Sequence, residues 1–287
     1  MTLEQYVNFS VPDLQFYCRQ CISYVDGSYN FAAGLSRIKS HAPNLTNMQT
    51  QAVSERNMMA FYGAALPTVS NPTDSEVDVD NVSIAMLRDR CPWILDQFVP
   101  SSVGGDGNCL FRAISFALYG HENCYMQLRL LTAIETLTNR DVYDTASPDF
   151  YAPYAADSCL VLSDYASFAV ETARNGSDSD MLTVLALSSV VQKPIQTRWP
   201  IVTDDVSPMT KRVVGRGVQT EHALHVLWTI GAAVYPGKGK PLSINHFVPL
   251  IPMSCPIPSD AEETVPVTCS RDSLSVLYCT CLLCFVV

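Results

Sequence analysis

The sequence predicts an α+β fold in which helices come first and strands follow. Apolar residues recur at helical spacing before Pro194, and runs rich in β-branched and aromatic residues come after it. In one of these later runs, from Ala223 to Gly231, large apolar residues occupy every second position, as in a strand. Helices and strands that are segregated along a chain in this way indicate a mixed layer fold.

Three helices are predicted between residues 109 and 191. The segment from Leu110 to Leu118 is apolar nearly all round, which places a helix at the centre of the fold. From Met126 to Asn139, leucine and isoleucine recur at steps of three with Arg129 off that stripe, as in an amphipathic helix that covers a core. A third helix is predicted from Asp180 to Val191, because N-capping residues precede it and Pro194 follows it.

The strands are predicted after these helices. The runs PIQTRWPIV, residues 194–202, and ALHVLWTIG, residues 223–231, have the composition of strands. After the turn-rich stretch PGKGKP, the run NHFVPLIP over residues 245–252 is again apolar and extended.

Composition divides the chain into three parts. Residues 1–64 look helical and are followed by LPTVSNPTDSEVDVDN, residues 66–81, so residues 1–82 are predicted to form a helical N-terminal appendage with a solvated acidic linker. Residues 83–254 are predicted to form the main domain. Residues 255–287 form a C-terminal extension whose apolar tail, residues 273–287, is shorter than the roughly 18 residues of a membrane span. This tail is interpreted as a short extension without a known role, a tail anchor, a palmitoylated segment or a faulty gene-model end.

Charge and cysteine usage limit the partners and the compartment. The formal net charge is −10, the pI is near 4.8 and Lys and Arg form no cluster, which argues against a nucleic-acid partner. The 11 cysteines are odd in number and the N-terminus lacks a signal segment, so we expect mostly reduced thiols in a cytoplasmic or nuclear setting. Cys18 and Cys21 form a CxxC without a second pair at zinc-finger spacing, so no metal is predicted.

A thiol stands between a glycine-rich turn and the central helix, in GGDGNCLFRAIS over residues 104–115. The glycines let the chain turn sharply, so Cys109 is expected in the first turn of the helix, where free N–H groups and the helix dipole favour a thiolate. Backbone N–H groups of Gly107 and Asn108 could hold an oxyanion, a contribution of about 3 to 4 kcal/mol per donor in acyl transfer. The alternative is a buried structural thiol.

The general base has to come from the five histidines. His41 lies in the appendage, and His121 ends the helix that begins at the thiol, too far along its axis to reach it. His222 and His225 flank or occupy a predicted strand. His246 opens an apolar strand directly after a glycine-rich loop, so its ring can project into a cleft, and we favour it over His225.

The run DGNCLFRAIS, residues 106–115, closely resembles the catalytic cysteine motif of the ovarian-tumour (OTU) family of cysteine proteases, most of whose studied members are deubiquitinases. NHFVPL, residues 245–250, looks like the histidine-bearing strand of that family. The resemblance implies a papain-like OTU fold with a central, mostly antiparallel sheet packed between helices. It also implies Cys109 as nucleophile, His246 as general base and Asp106 as the acidic active-site residue, with an acyl-enzyme thioester, no metal and no organic cofactor. Asp106 could equally cap the helix.

A second resemblance concerns the branch of the family. Segments such as LRLLTAIETLTNRDVYD and LHVLW are similar to the vertnin-like group of OTU-related domains, some members of which lack the cysteine that this chain keeps. Many OTU enzymes place Asp or Asn two residues after the histidine, and here Val248 occupies that position. Because an aliphatic side chain cannot orient the imidazole, we expect reduced rather than absent activity.

The function that the sequence predicts is that of an OTU-like cysteine isopeptidase, a thiol protease that removes ubiquitin or a ubiquitin-like modifier from protein conjugates. The first alternative is a catalytically weak or inactive interaction module on the same fold. The second is a processing protease derived from a mobile element, which would use the same chemistry on a peptide.

Overall fold

The computed structural model describes residues 24–25, 28–70, 72, 77–144, 146–147, 164–200, 210–231, 234–237, 240 and 242–253. The CxxC motif of Cys18 and Cys21 and the extension over residues 255–287 lie outside these ranges. Among the helices in the described part of the chain, none has the length and apolar character that a membrane crossing requires.

Helices and strands alternate along the described ranges, with most of the strands at the end. In chain order they are β1 (Tyr24–Val25), β2 (Ser28–Tyr29), α1 (Phe31–Lys39), α2 (Leu45–Phe61), α3 (Asn81–Arg90), a 3-10 turn (Pro92–Ile94), β3 (Phe98–Pro100), α4 (Cys109–Tyr119), α5 (Tyr125–Thr138), α6 (Arg140–Tyr143), α7 (Tyr165–Thr172), α8 (Met181–Val191), β4 (Ile195–Arg198), β5 (Arg212–Val213), β6 (Leu224–Thr229) and β7 (His246–Pro252). The three helices predicted after residue 109 and the strands predicted over residues 223–231 and 245–252 are confirmed. Of the strand predicted over residues 194–202, Ile195–Arg198 form β4, and residues 201–202 lie outside the described ranges. Residues 24–25 and 28–29, which look helical in the sequence, instead form the short antiparallel strands β1 and β2.

The strands after α2 form one five-stranded sheet in the order β3-β7-β6-β4-β5. Strand β7 lies between β3 and β6 and is antiparallel to both. Strand β4 is parallel to β6 and antiparallel to β5. The sheet is therefore mostly antiparallel, as predicted, and β7 occupies a position inside it, where both edges are paired.

One face of the sheet is covered by α4 and the helices around it. Helix α4 is apolar nearly all round and buries Leu110, Phe111 and Ile114 completely, which confirms its central place. Helix α5 packs against other helices, among them α1, α2, α4 and α8. Because α5 is enclosed in this way, the expectation that Arg129 lies off the buried surface is wrong: the residue is 1% exposed.

The opposite face of the sheet is covered by α3, whose Met86 and Leu87 pack with Leu227 and Val248 in a second core. Helix α3 begins inside the stretch that the sequence predicts as a solvated linker, because Asp80 caps it by accepting the Ser83 N–H at 2.6 Å. The sheet thus lies between two helical layers, and the fold is α+β. The boundary near residue 83 stays a prediction.

Candidate active site

A tight loop of residues 104–108, called the nucleophile loop below, leads into the first turn of α4. Gly107 has φ +76°, a left-handed conformation that favours glycine. The Asp106 carboxylate accepts the Asn108 N–H at 3.1 Å, which closes a turn directly before the helix. Cys109 is the first residue of α4, where the sequence predicts it.

The Cys109 thiol is 7% exposed and lies among both hydrogen-bond donors and negative charge. Burial is the largest influence and raises the pKa of Cys109 above its ordinary value. The backbone N–H groups of Phe247 and Leu110 face the sulfur and oppose that rise, whereas the charge of Asp178 adds to it. The thiol is therefore neutral at rest, and amide donors are in place to stabilise a thiolate once it forms.

His246 begins β7 at the same end of the fold and is 7% exposed. Its ring lies against the nucleophile loop: a β-carbon built on Gly105 would be 3.6 Å from Cε1 and 3.8 Å from Nδ1 of the imidazole. The next residue along the strand, Phe247, is the one whose N–H faces the Cys109 sulfur. The structure thus brings Cys109 and His246 together where α4 and β7 both begin.

The imidazole of His246 is supported by groups that the sequence does not reveal. It hydrogen-bonds the Val103 carbonyl, and the charges of Asp80 and Glu122 favour its protonated form. Burial outweighs these contributions, so the pKa of His246 lies below its ordinary value. Val248 is fully buried in the second core. Among the described residues, the groups that act on the imidazole are therefore the Val103 carbonyl and the charges of Asp80 and Glu122.

Asp106 is engaged within the loop. Its carboxylate accepts from Nε of Arg112 at 3.1 Å and from Nη2 at 2.7 Å, in addition to the Asn108 N–H. The hydrogen bonds from Arg112 hold the pKa of this carboxyl well below its usual range. Arg112 also bonds Glu122 at 3.0 Å, and Glu122 accepts the Gly104 N–H at 3.2 Å. Asp106 therefore fixes the shape of the nucleophile loop, and its bonds run to Arg112 and Asn108 and not to His246.

The backbone N–H of Asn108, expected from the sequence as an oxyanion donor, is already hydrogen-bonded. Its backbone N–H already donates to Asp106, so in this conformation it does not point at a substrate. The turn also carries the backbone N–H groups of Gly107 and Cys109, and that of Cys109 faces the thiol sulfur. The Asn108 side chain is buried at 2% exposure, where its Oδ1 accepts from Arg129 at 2.8 Å.

His225, the second histidine considered for the base, lies elsewhere. Its ring is 4.5 Å from the ring of Phe98, centroid to centroid. Burial and the charges of Arg198 and Arg212 lower its pKa to about 4. Thr229 is the cross-strand partner of His246, so His225 lies about 13 Å further along β6, at roughly 3.3 Å per residue.

The chemistry that this arrangement permits is nucleophilic attack by a thiol. A neutral imidazole can accept the thiol proton, and the backbone amides around the sulfur can hold the negative charge that results. Within the described ranges, no group of three or more His, Cys, Asp or Glu side chains could hold a metal ion.

Comparison with known proteins assigns the domain. Residues 100–167 match the family model described as "Vertnin, OTU domain". Vertnin of Bos taurus is 26% identical over 211 residues, which cover 65% of this chain and 30% of that protein. The chain contains an OTU domain of a vertnin-like branch. Vertnin of Mus musculus is 22% identical to it over 214 residues, covering 68% of this chain and 27% of that protein. The matched region spans less than a third of either relative.

Solved OTU domains are also similar to this OTU domain. The viral OTU domain protease from Dera Ghazi Khan virus has 20% sequence identity and a TM-score of 0.37, covering 56% of this chain and 84% of that chain. The OTU domain of OTUD1 has 18% identity and a TM-score of 0.39, covering 59% of this chain and 96% of that chain. TM-scores of this size carry no conclusion about the activity of the OTU domain described here.

Proposed function

We propose that this chain is an OTU-like cysteine isopeptidase, a deubiquitinase-type enzyme that removes ubiquitin or a ubiquitin-like modifier from protein conjugates. The observation that carries the proposal is the placement of Cys109 at the start of α4, with its sulfur facing the Phe247 N–H and His246 directly before that residue. The match to the OTU domain of vertnin supports the same reading.

The first half of the proposed reaction forms an acyl-enzyme. His246 accepts the proton of the Cys109 thiol, and the thiolate attacks the carbonyl carbon of the isopeptide bond. The electron pair of the carbonyl moves to its oxygen, which the N–H groups of Gly107 and Cys109 stabilise. As the tetrahedral intermediate collapses, the C–N bond breaks and the protonated His246 gives its proton to the leaving lysine amine. The modifier remains attached to Cys109 as a thioester.

The second half restores the enzyme. His246 removes a proton from a water molecule, whose oxygen attacks the thioester carbonyl. The C–S bond breaks, the modifier leaves as a carboxylic acid that loses its proton to the solvent, and the thiolate recovers its proton from the imidazolium.

A ubiquitin probe with a C-terminal electrophile tests the proposal directly. We expect it to label the wild-type chain at one site and to leave Cys109→Ala unlabelled, with His246→Gln labelled far more slowly. Cys124→Ala is the matched control, because Cys124 is also a free cysteine with 7% exposure, and we expect it to be labelled like wild type. The proposal fails if wild type is unlabelled by probes carrying ubiquitin and its common relatives, or if Cys109→Ala is labelled equally.

A non-catalytic binding module is the second candidate, and the burial of the site favours it. Cys109 and His246 are each 7% exposed, and burial moves the pKa of each toward its neutral form. In this case the domain would bind a modifier without hydrolysing its conjugate. Calorimetric titration with ubiquitin would then give equal affinity for wild type and Cys109→Ala, together with no labelling of the wild-type thiol.

A further inference from the structure

A buried arginine lies directly behind the nucleophile loop. Arg129, on α5, is 1% exposed, and its guanidinium stacks 4.9 Å from the ring centroid of Phe111. A buried guanidinium is ordinarily paired with a carboxylate, because removing an unpaired charge from water is costly. Within the described residues, the hydrogen bonds of Arg129 end on neutral oxygens only.

Three of these oxygens belong to two separate loops, and the fourth lies near the end of α7. Nη1 of Arg129 donates to the Gly107 carbonyl at 3.0 Å and to Oδ1 of Asn108 at 2.8 Å, both in the nucleophile loop. Nη2 donates to the Ser177 carbonyl at 2.8 Å and, more weakly, to the Glu171 carbonyl at 3.4 Å. Residues 174–177, called the support loop below, join α7 to the segment before α8. One side chain therefore connects the two loops.

The loops also touch each other. A β-carbon on Gly107 would lie 2.0 Å from the Gly176 carbonyl oxygen, so the two backbones are in close contact. The Asn108 side chain reaches across and donates to Oδ1 of Asn175 at 3.0 Å. Asn175 is exposed, so this second connection lies on the solvent side while Arg129 lies on the buried side. Together they fix the nucleophile loop from both sides.

We propose that Arg129 is a positioning residue of the active site: its guanidinium fastens the nucleophile loop to the support loop and keeps a positive charge close to Cys109. The inference rests on the proposed function in that Cys109 is taken as the reactive thiol. At rest Arg129 has no negatively charged partner, and the Cys109 thiolate becomes that partner when it forms. The attraction between the two charges makes the thiol easier to ionise in a site where burial otherwise disfavours charge.

The charged surroundings of Cys109 make this contribution necessary. Asp178 raises the pKa of the thiol, as does its burial. Burial lowers the pKa of Arg129 to about 10, and the charges that oppose this fall are those of Cys109, Asp106, Glu171 and Asp178, with Cys109 the largest. The guanidinium stays protonated at neutral pH, and its hydrogen bonds to Gly107 and Asn108 hold it beside the residue that precedes Cys109.

The charge is tested by the pH dependence of thiol alkylation. Cys109 is alkylated with iodoacetamide between about pH 7 and 11 and quantified by peptide mass spectrometry in the full chain, with Cys124 as the internal reference. An opposite charge close by shifts a pKa by about 1 to 3 units. Arg129→Met should therefore raise the pH midpoint of Cys109 alkylation, called the Cys109 midpoint below, by about 1 unit. Arg129→Lys keeps the charge and should leave the midpoint within a few tenths of a unit. Arg216→Met, which removes an ion pair to Glu135 on the same helix, should not change it.

The positioning is tested separately by a variant that leaves the buried charge in place. Asn175→Ala removes an exposed side chain, so the fold is expected to persist, with its thermal midpoint within about 2 °C of wild type. Backbone amides of residues 104–109 should exchange with deuterium at least about tenfold faster in this variant, while those of α8 keep their wild-type rate. Asn175→Asp, which retains the acceptor for Asn108, should restore slow exchange.

The inference is overturned if the Cys109 midpoint in folded Arg129→Met equals that of wild type. If Arg129→Met does not fold, wild-type exchange of residues 104–109 in Arg129→Lys overturns it instead, because a single ammonium group cannot reproduce the hydrogen bonds that the guanidinium makes to both loops. Both measurements are independent of catalysis. A wild-type chain that no modifier probe labels, but whose Cys109 midpoint depends on Arg129, would refute the proposed hydrolase and leave this inference standing.

Discussion

The contact between Gly107 and Gly176 allows a substitution whose effect can be worked out from the structure. In Gly107→Ala the new β-carbon would lie 2.0 Å from the Gly176 carbonyl oxygen, against an ordinary contact of 3.4 Å or more. The difference, 3.4 − 2.0, requires the two loops to separate by about 1.4 Å. The residue would also have to adopt φ +76°, which costs an L-residue roughly 1 to 2 kcal/mol.

Adding a cost of about 1 to 3 kcal/mol for the overpacking gives a predicted destabilisation of about 2 to 5 kcal/mol for Gly107→Ala. Because a displacement of about 1 Å at a reacting group can cost on the order of 100-fold in rate, labelling by the electrophilic ubiquitin probe should slow by a similar factor. Urea unfolding measures the first quantity, and the second-order labelling rate constant of the folded variant measures the second.

Gly63→Ala is the matched control. Gly63 also has a positive φ, +65°, but a β-carbon there meets no atom within 4 Å. This variant isolates the conformational cost and should lose about 1 kcal/mol with no change in labelling rate. The reasoning is refuted if Gly107→Ala loses no more stability than Gly63→Ala and reacts with the probe at the wild-type rate.

Two further predictions concern the carboxylates around the site. Asp80→Asn keeps a good N-cap for α3 but removes a charge that raises the pKa of His246, so the acid limb of the pH profile of probe labelling should move to lower pH. Asp89→Asn, at the other end of α3, is the control and should leave the acid limb unchanged. An equal shift in both variants would contradict the effect of Asp80 on His246. Asp106→Asn removes the ion pair to Arg112. The fold lowers the pKa of Asp106 from its ordinary 3.8, so the ion pair should stabilise the wild type relative to this variant at pH values above 3.8. For so exposed a pair the difference in the free energy of unfolding should be about 0.5 to 1 kcal/mol, and it should shrink as the pH falls below 3.8. Urea unfolding at pH 7 and pH 3 measures it, and a difference that does not depend on pH would show that the ion pair contributes nothing.

The parts of the site that could be predicted from the sequence are those whose residues are neighbours along the chain. The glycines before Cys109 and the apolar residues after it define a turn and a central helix without reference to the rest of the chain. His246 is recognisable because it opens an apolar run after a turn-rich stretch. Local patterning of this kind survives in the fold because the same residues that form the element also fill the core.

The parts that could not be predicted depend on neighbours that are distant in sequence. Arg129 has the spacing of a surface residue, and only the packing of other helices around α5 makes it buried. Asn175 lies in a polar loop whose partner, Asn108, is 67 residues away along the chain. Asp80 belongs to an acidic stretch with no apolar pattern, so its capping of a helix and its effect on His246 become visible only in three dimensions.

The hydrogen bond from His246 to the main chain of Val103 affects what a mutational scan of this protein can detect. Every amino acid carries a backbone carbonyl, so no single substitution at Val103 deletes the acceptor, and a saturation scan would score the position as tolerant while its geometry remains essential. A search for the missing acid at Val248 would find an apolar core and report a broken triad. A domain without an acidic side chain two residues after the histidine can therefore still hold its imidazole in place. Whether it does so has to be judged from the path of the backbone.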